Sequence, residues 1–87
     1  MTMQPTDPTD RHCLVTGASS GIGRAVAERL AMDGWAVTVL VRRDEAPSGA
    51  RVVIGDAAVP ADLERAIRAA ADPDGRLQGL VCAAGVP

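Results

Sequence analysis

Glycines 17, 21 and 23, within Thr16-Gly17-Ala18-Ser19-Ser20-Gly21-Ile22-Gly23, are the residues of this 87-residue chain whose type and spacing most directly imply chemistry. The octet follows the apolar run Cys13-Leu14-Val15 and opens a segment with apolar residues at helical spacing, so it sits where a strand turns into a helix. A turn of that kind can cradle phosphate. Gly17 would let the chain leave the strand sharply, Gly21 would let a pyrophosphate approach the backbone, and Gly23 would let the new helix pack close on the sheet. The free N–H groups of the first helical turn, with the positive end of the helix dipole, favour an anion there.

The pattern is G-x-x-x-G-x-G, neither the common dinucleotide G-x-G-x-x-G nor the P-loop G-x-x-x-x-G-K-[ST]. Taken alone, three glycines in seven residues also fit a bland flexible turn. Ser19 and Ser20 could donate hydroxyls to phosphate or merely suit the loop.

The elements that must position this turn alternate along the chain. Met1 to Arg11 is polar, carries two prolines and has no period, so it reads as a loose leader. Cys13 to Thr16 is a first strand buried on both faces. From Gly21 to about Met32, Ile22, Val26 and Leu30 form the inner stripe of a helix, Arg24, Glu28 and Arg29 face outward, and Gly34 stops it. His12 reads as a solvated edge residue and Trp35 as packing at the rim.

Ala36 to Val41 is a second buried strand, ended by Arg42-Arg43-Asp44-Glu45, with Pro47-Ser48-Gly49 as a loop. Arg51 to Ile54 is a third strand, closed by Gly55-Asp56. Pro60 opens a helix to about Ala71, with Leu63 and Ile67 inside, and Val59 before it is a poor N-cap that costs about 1 kcal/mol. Pro73-Asp74-Gly75 ends that helix, and Leu77 to Cys82 is a fourth strand. Strands alternating with helices imply right-handed crossovers and an α/β, doubly wound parallel sheet.

In such a sheet ligands lie beyond the carboxyl ends of the strands, where strand order reverses. Thr16, Arg42, Asp56 and Cys82 all fall at such ends. One elongated ligand of adenine dinucleotide shape could touch all four. An NAD-preferring fold places an acid about 20 residues past the glycine loop, whereas arginine there can hold a 2′-phosphate. Here the position reads Val41-Arg42-Arg43, and Asp44 comes two residues late, so NADP(H) is preferred over NAD(H). An ordinary solvated arginine pair is the bland alternative.

Composition bounds the rest. A domain of this length buries only about 60–65% of its unfolded surface, and one tryptophan with no phenylalanine or tyrosine is thin material for a core. Net charge of -2, with the nine basic residues scattered, offers nucleic acid no patch. No apolar run approaches the roughly 18 residues of a membrane span, and the N-terminus lacks a secretion-signal layout, so a cytoplasmic location is expected. Cys13 and Cys82 read as reduced, buried small hydrophobes. On neighbouring strands they would stand roughly 10 Å apart, too far to bridge, and neither has metal-ligand spacing.

With Val15-Thr16 before it and Arg24-Ala25-Val26-Ala27 after it, the glycine octet resembles the cofactor loop of the short-chain dehydrogenase/reductase family. The resemblance covers roughly residues 12 to 87, and implies the first half of that family's Rossmann domain, β-α-β-β-α-β with strand order 3-2-1-4. It implies hydride transfer between a nicotinamide cofactor and a small alcohol or carbonyl substrate. Asp56 resembles the aspartate that meets the adenine amine, with Ala57 beside it. Gly79-Leu80-Val81-Cys82-Ala83-Ala84-Gly85 resembles the family's segment ending in Asn-Asn-Ala-Gly, with Cys82 and Ala83 replacing the two asparagines. Backbone contacts there can survive that change; those of an asparagine side chain cannot.

The implied cofactor-binding residues are therefore Gly17, Ser19, Ser20, Gly21, Ile22, Gly23, Arg42, Arg43, Asp56, Ala57, Cys82, Ala83, Ala84 and Gly85. The family's catalytic tyrosine, lysine and serine imply more chain, because this sequence has no tyrosine and no lysine. The chain alone is expected to be an inactive fragment of an enzyme whose full-length form is a homo-oligomer. A non-catalytic nucleotide-binding half-domain and a complementing interaction piece are the alternatives.

Overall fold

Cys13 to Val15 and Val37 to Val41 are apolar at every position but Thr38, and a strand apolar on both faces must be covered on both. A computed structural model describes residues 11–18, 21–44 and 49–82, so positions 1–10 of the expected leader lie outside the described residues. The elements are β1 (His12–Thr16), α1 (Gly21–Met32), β2 (Ala36–Val41), β3 (Ala50–Ile54), α2 (Pro60–Ala70) and β4 (Gly79–Cys82). All pairings are parallel, and the sheet order is β3-β2-β1-β4. The expected doubly wound half is the observed one.

The register divides the sheet into two apolar faces. Cys13, Val15, Val37, Val39 and Val41 form one cluster with Ala18 and with Ala27 of α1, and Leu30, Ala31, Trp35 and Val52 pack against it. Leu14, Leu40 and Val53 form the other with Ala66 and Ala70 of α2, flanked by Leu63 and Ile67. Side chains alternate across a strand, so odd positions of β1 and β2 meet α1 and even positions meet α2.

The phase of α1 differs from the expected one. Gly23 and Ala27 are its buried residues, and Ile22 is 77% exposed. The inner stripe is thus Gly23, Ala27, Leu30 and Ala31, rotated by one position from Ile22, Val26 and Leu30. Ala25, Val26, Ala27, Leu30 and Ala31 leave the sequence apolar around much of the helix, so spacing alone does not fix the phase. Small residues win the contact because they let the helix axis approach the sheet.

Both ends of the helices are built as their residues dictate. Gly34, at φ 93°, donates to the Ala31 carbonyl at 3.1 Å, and Trp35 donates to that of Leu30 at 3.0 Å. This paired arrangement closes the carboxyl end of α1. Trp35 packs at the rim as expected, with the Arg11 guanidinium 5.7 Å from its ring centre. Val59 caps α2 with no side-chain hydrogen bond, followed by proline, and the helix ends at Ala70 with Ala71 as its cap.

β4 starts at Gly79 rather than at the expected Leu77 because the preceding residues are engaged in a turn. The Asp72 carboxylate accepts the Asp74 and Arg76 amides at 2.9 and 2.8 Å, and Gly75 has φ 82°. Gln78 then joins β1 by both ends. Its amide donates to the His12 carbonyl at 2.9 Å, and its Oε1 accepts the His12 amide at 2.7 Å.

The phase of α1 is open to test by thermal denaturation. Ala27→Leu should cost about 1–3 kcal/mol through overpacking, whereas Ile22→Ala, at an exposed position, should stay within about 0.5 kcal/mol. The opposite ranking would mean that α1 faces the sheet as first expected.

Candidate functional site

β1 lies between β2 and β4, so its carboxyl end opens at the point where the chain's strands diverge to either side. Ligands bind doubly wound sheets at such a reversal. Gly17 leaves β1 with φ 72° and Gly21 enters α1 with φ 67°. A Cβ on Gly21 would meet nothing within 4 Å, so glycine is required there for its backbone conformation and not for room. Ala18 is fully buried between them, and Gly23 is buried in the first turn of α1. No acidic residue stands in that first turn, so no side-chain carboxylate of α1 competes for the positive end of the helix. Ser19 and Ser20 lie outside the described residues. Ile22, exposed, stands at the same mouth.

Arg42 and Arg43 follow the last residue of β2 and are exposed. The Gly55 amide donates to the Val41 carbonyl at 2.8 Å, which extends the β2–β3 ladder past the strand ends and brings Asp56 alongside Arg42. Arg42 Nη2 lies 4.0 Å from Asp56 Oδ1, and its side chain is 81% exposed. Such a pair is weak and leaves most of the guanidinium donors facing water.

Asp56 also closes its own turn. Its Oδ1 accepts the Ala58 amide at 2.8 Å, and its carbonyl accepts the Val59 amide at 2.9 Å. Among the described residues nothing bonds to Oδ2, which remains a candidate acceptor. Ala57, half-buried, packs on the α2-side cluster.

Two site residues escaped the sequence reading. Asp62, in the first turn of α2, accepts the Asp56 amide on Oδ2 at 2.9 Å and pairs with Arg65 through Oδ1 at 3.2 Å. Arg65 Nη2 also donates to the Ile54 carbonyl at 2.9 Å. The two side chains close over Gly55, where a Cβ would come within 3.0 Å of Arg65 Nη2 and 3.1 Å of Asp62. The available signal was an acid three residues past the poor cap Val59, the spacing at which a first-turn side chain reaches back.

At the end of β4, Cys82 stands in register with Thr16 and Cys13 with Gly79. Both thiols are free, as expected, but Cys82 is exposed, which corrects its reading as a buried hydrophobe. α2 packs over β1 and β2, and on that side Leu80 and Cys82 of β4 are exposed among the described residues. Burial raises the Cys13 thiol above its ordinary value of 9.0, which keeps it protonated and inert. Ala83, Ala84 and Gly85 lie outside the described residues. No metal-competent group of three ligating side chains occurs among the described residues.

This geometry coincides with a match of residues 11–87 to the family model described as short chain dehydrogenase. The chain belongs to the short-chain dehydrogenase family. It is 41% identical over 76 residues to a 3-oxoacyl-acyl-carrier-protein reductase of Mycobacterium tuberculosis, covering 87% of this chain and 31% of that protein. It is 38% identical over 63 residues to a 3-ketodihydrosphingosine reductase of Cryptococcus neoformans, covering 72% of this chain and 19% of that one. The ligand-free aldohexose dehydrogenase of Thermoplasma acidophilum superposes with a TM-score of 0.78 at 33% identity, over 93% of this chain and 32% of that one. The chain thus spans a third or less of each short-chain dehydrogenase relative named here.

The carboxylate clamp gives the site a pH signature. The Asp56 amide, then Arg65, hold the Asp62 carboxyl below its ordinary value of 3.8. A carboxylate depressed on folding stabilises the fold above its unfolded value, and that contribution disappears as pH falls through the lower folded value. Denaturant titrations at about pH 5 and below pH 3.8 should therefore show a smaller acid loss for Asp62→Asn than for the unaltered chain. Equal losses would remove Asp62 from the account.

Proposed function

We propose that this chain is the cofactor-holding part of an NADP(H)-dependent oxidoreductase that moves hydride between nicotinamide and a small alcohol or carbonyl compound. The observation that carries the cofactor choice is the end of β2. Arg42 and Arg43 follow Val41 directly, with no acid at the strand tip to accept from a ribose 2′-OH, and arginine suits a 2′-phosphate through its fixed fork of donors. Carbonyl reduction is favoured by the relatives, two of which are named as reductases.

In this reading Gly17, Gly21, Ile22 and Gly23 receive the pyrophosphate, with Ser19 and Ser20 completing the loop. The α1 amides and dipole offset its charge. Arg42 and Arg43 would take the 2′-phosphate, Asp56 and Ala57 the adenine, and Cys82, Ala83, Ala84 and Gly85 the nicotinamide half. The cofactor supplies the hydride chemistry; the chain orients it against the sheet. Proton transfer to the substrate oxygen needs a group that this sequence lacks in tyrosine or lysine form, which favours, for the 87 residues alone, binding without turnover. The described residues hold no helix long and apolar enough to cross a membrane, and a cytoplasmic enzyme that is homo-oligomeric at full length fits this reading, with positions 1–11 as leader to a domain over 12–87.

Calorimetry on the chain tests the proposal. NADPH should bind more tightly than NADH, and Arg42→Ser should weaken NADPH about 10-fold to 100-fold, the range for one charge-assisted contact, while moving NADH little. No heat with either cofactor would end the proposal.

A further inference from the structure

The Asp62–Arg65 clamp lies on α2, yet the hydrogen bonds it makes beyond itself among the described residues go to the end of β3 and the loop that carries Asp56. We infer that Asp62 is a positioning residue for 2′-phosphate selectivity, acting through Asp56 on Arg42, an inference that rests on the cofactor reading above.

The chain of contacts is continuous. Asp62 Oδ2 holds the Asp56 amide at 2.9 Å, Asp56 Oδ1 stands 4.0 Å from Arg42 Nη2, and Arg65 fixes the other side of the loop through the Ile54 carbonyl at 2.9 Å. Gly55 lies between the two anchors, where a Cβ would sit 3.0 Å from Arg65 Nη2 and 3.1 Å from Asp62, tighter than ordinary contact. The loop is thereby fixed from both sides of Gly55.

Among the described residues Arg42 has no such anchor, only the 4.0 Å ion pair with Asp56. An 81% exposed arginine side chain has many accessible rotamers, and the ion pair with the Asp56 carboxylate favours those that lean toward β3. A guanidinium has five donors in a planar fork, so one edge can face Asp56 while the other faces a phosphate. Loosening the Asp56 loop would release Arg42 and penalise a ligand bearing a 2′-phosphate. A ligand with a free 2′-OH makes no demand on that orientation. Ordinary destabilisation, by contrast, would lower both affinities together.

The test compares NADPH and NADH affinities by calorimetry for the unaltered chain, Asp62→Ala, Asp62→Asn and Arg65→Met, with Asp72→Ala as a control at the turn before β4. Asp62→Ala should weaken NADPH about fivefold, the scale of one side chain losing its ordering, and NADH less than about twofold. Asp62→Asn, which keeps an acceptor for the Asp56 amide, should recover most of the selectivity. Arg65→Met should shift the ratio in the same direction by a smaller factor, and carries the test if Asp62→Ala does not fold. Asp72→Ala should lower stability without moving the ratio. An unchanged NADPH-to-NADH ratio in Asp62→Ala or, should that variant not fold, in Arg65→Met overturns this inference alone, as does an equal shift in Asp72→Ala. Failure of the unaltered chain to bind either cofactor overturns the cofactor reading and this inference together.

Discussion

A fully buried strand must hand its chain to a helix that packs back over the same sheet, and it has four residues in which to do so. β1 ends at Thr16 and α1 begins at Gly21. The connection works because Gly17 and Gly21 both take left-handed backbone angles, 72° and 67°, which cost other residues roughly 1–2 kcal/mol each. Everything else at this end of the sheet depends on that exit. It sets the start of α1 at the carboxyl end of β1, buries Ala18 under the turn and brings the small residues Gly23 and Ala27 onto β1 and β2.

Charge is then distributed by strand order. β1 contributes a helix N-terminus and no side-chain charge, β2 contributes two cations just past Val41, and β3 contributes a carboxylate held by its own turn. Exposed ion pairs of this kind contribute little to stability, and the 4.0 Å Arg42–Asp56 pair is no exception. Their value lies in placement. Asp56 serves both its turn and its neighbour, and the clamp from α2 holds its backbone amide.

The fold was largely legible in the chain because its elements are separated by strong signals: glycine at 17, 34 and 75, proline at 60, and largely apolar runs at β1 and β2. Boundaries moved by at most a residue, β1 starting at His12 and β3 at Ala50, except that β4 moved by two, to Gly79, past the turn that Asp72 organises. The phase of α1 was not legible, since its apolar residues nearly encircle it and close packing chose glycine and alanine over Ile22. The exposure of Cys82 was hidden for another reason, because burial of an outer strand depends on what lies beyond it. For the site, positions along the strands were readable from order alone. The Asp62–Arg65 contacts were not, because they depend on how α2 is set against β3.

The most direct test of the central claim, that the carboxyl ends of β1, β2 and β3 form one nucleotide-shaped site, is an amide-resolved NMR titration of the chain with NADPH. The account predicts shifts concentrated at Gly17, Ala18 and Gly21–Gly23, at Arg42–Arg43 and at Asp56–Ala57. Shifts centred instead on His12 and Asp72–Gln78, at the opposite ends of the strands, would contradict it.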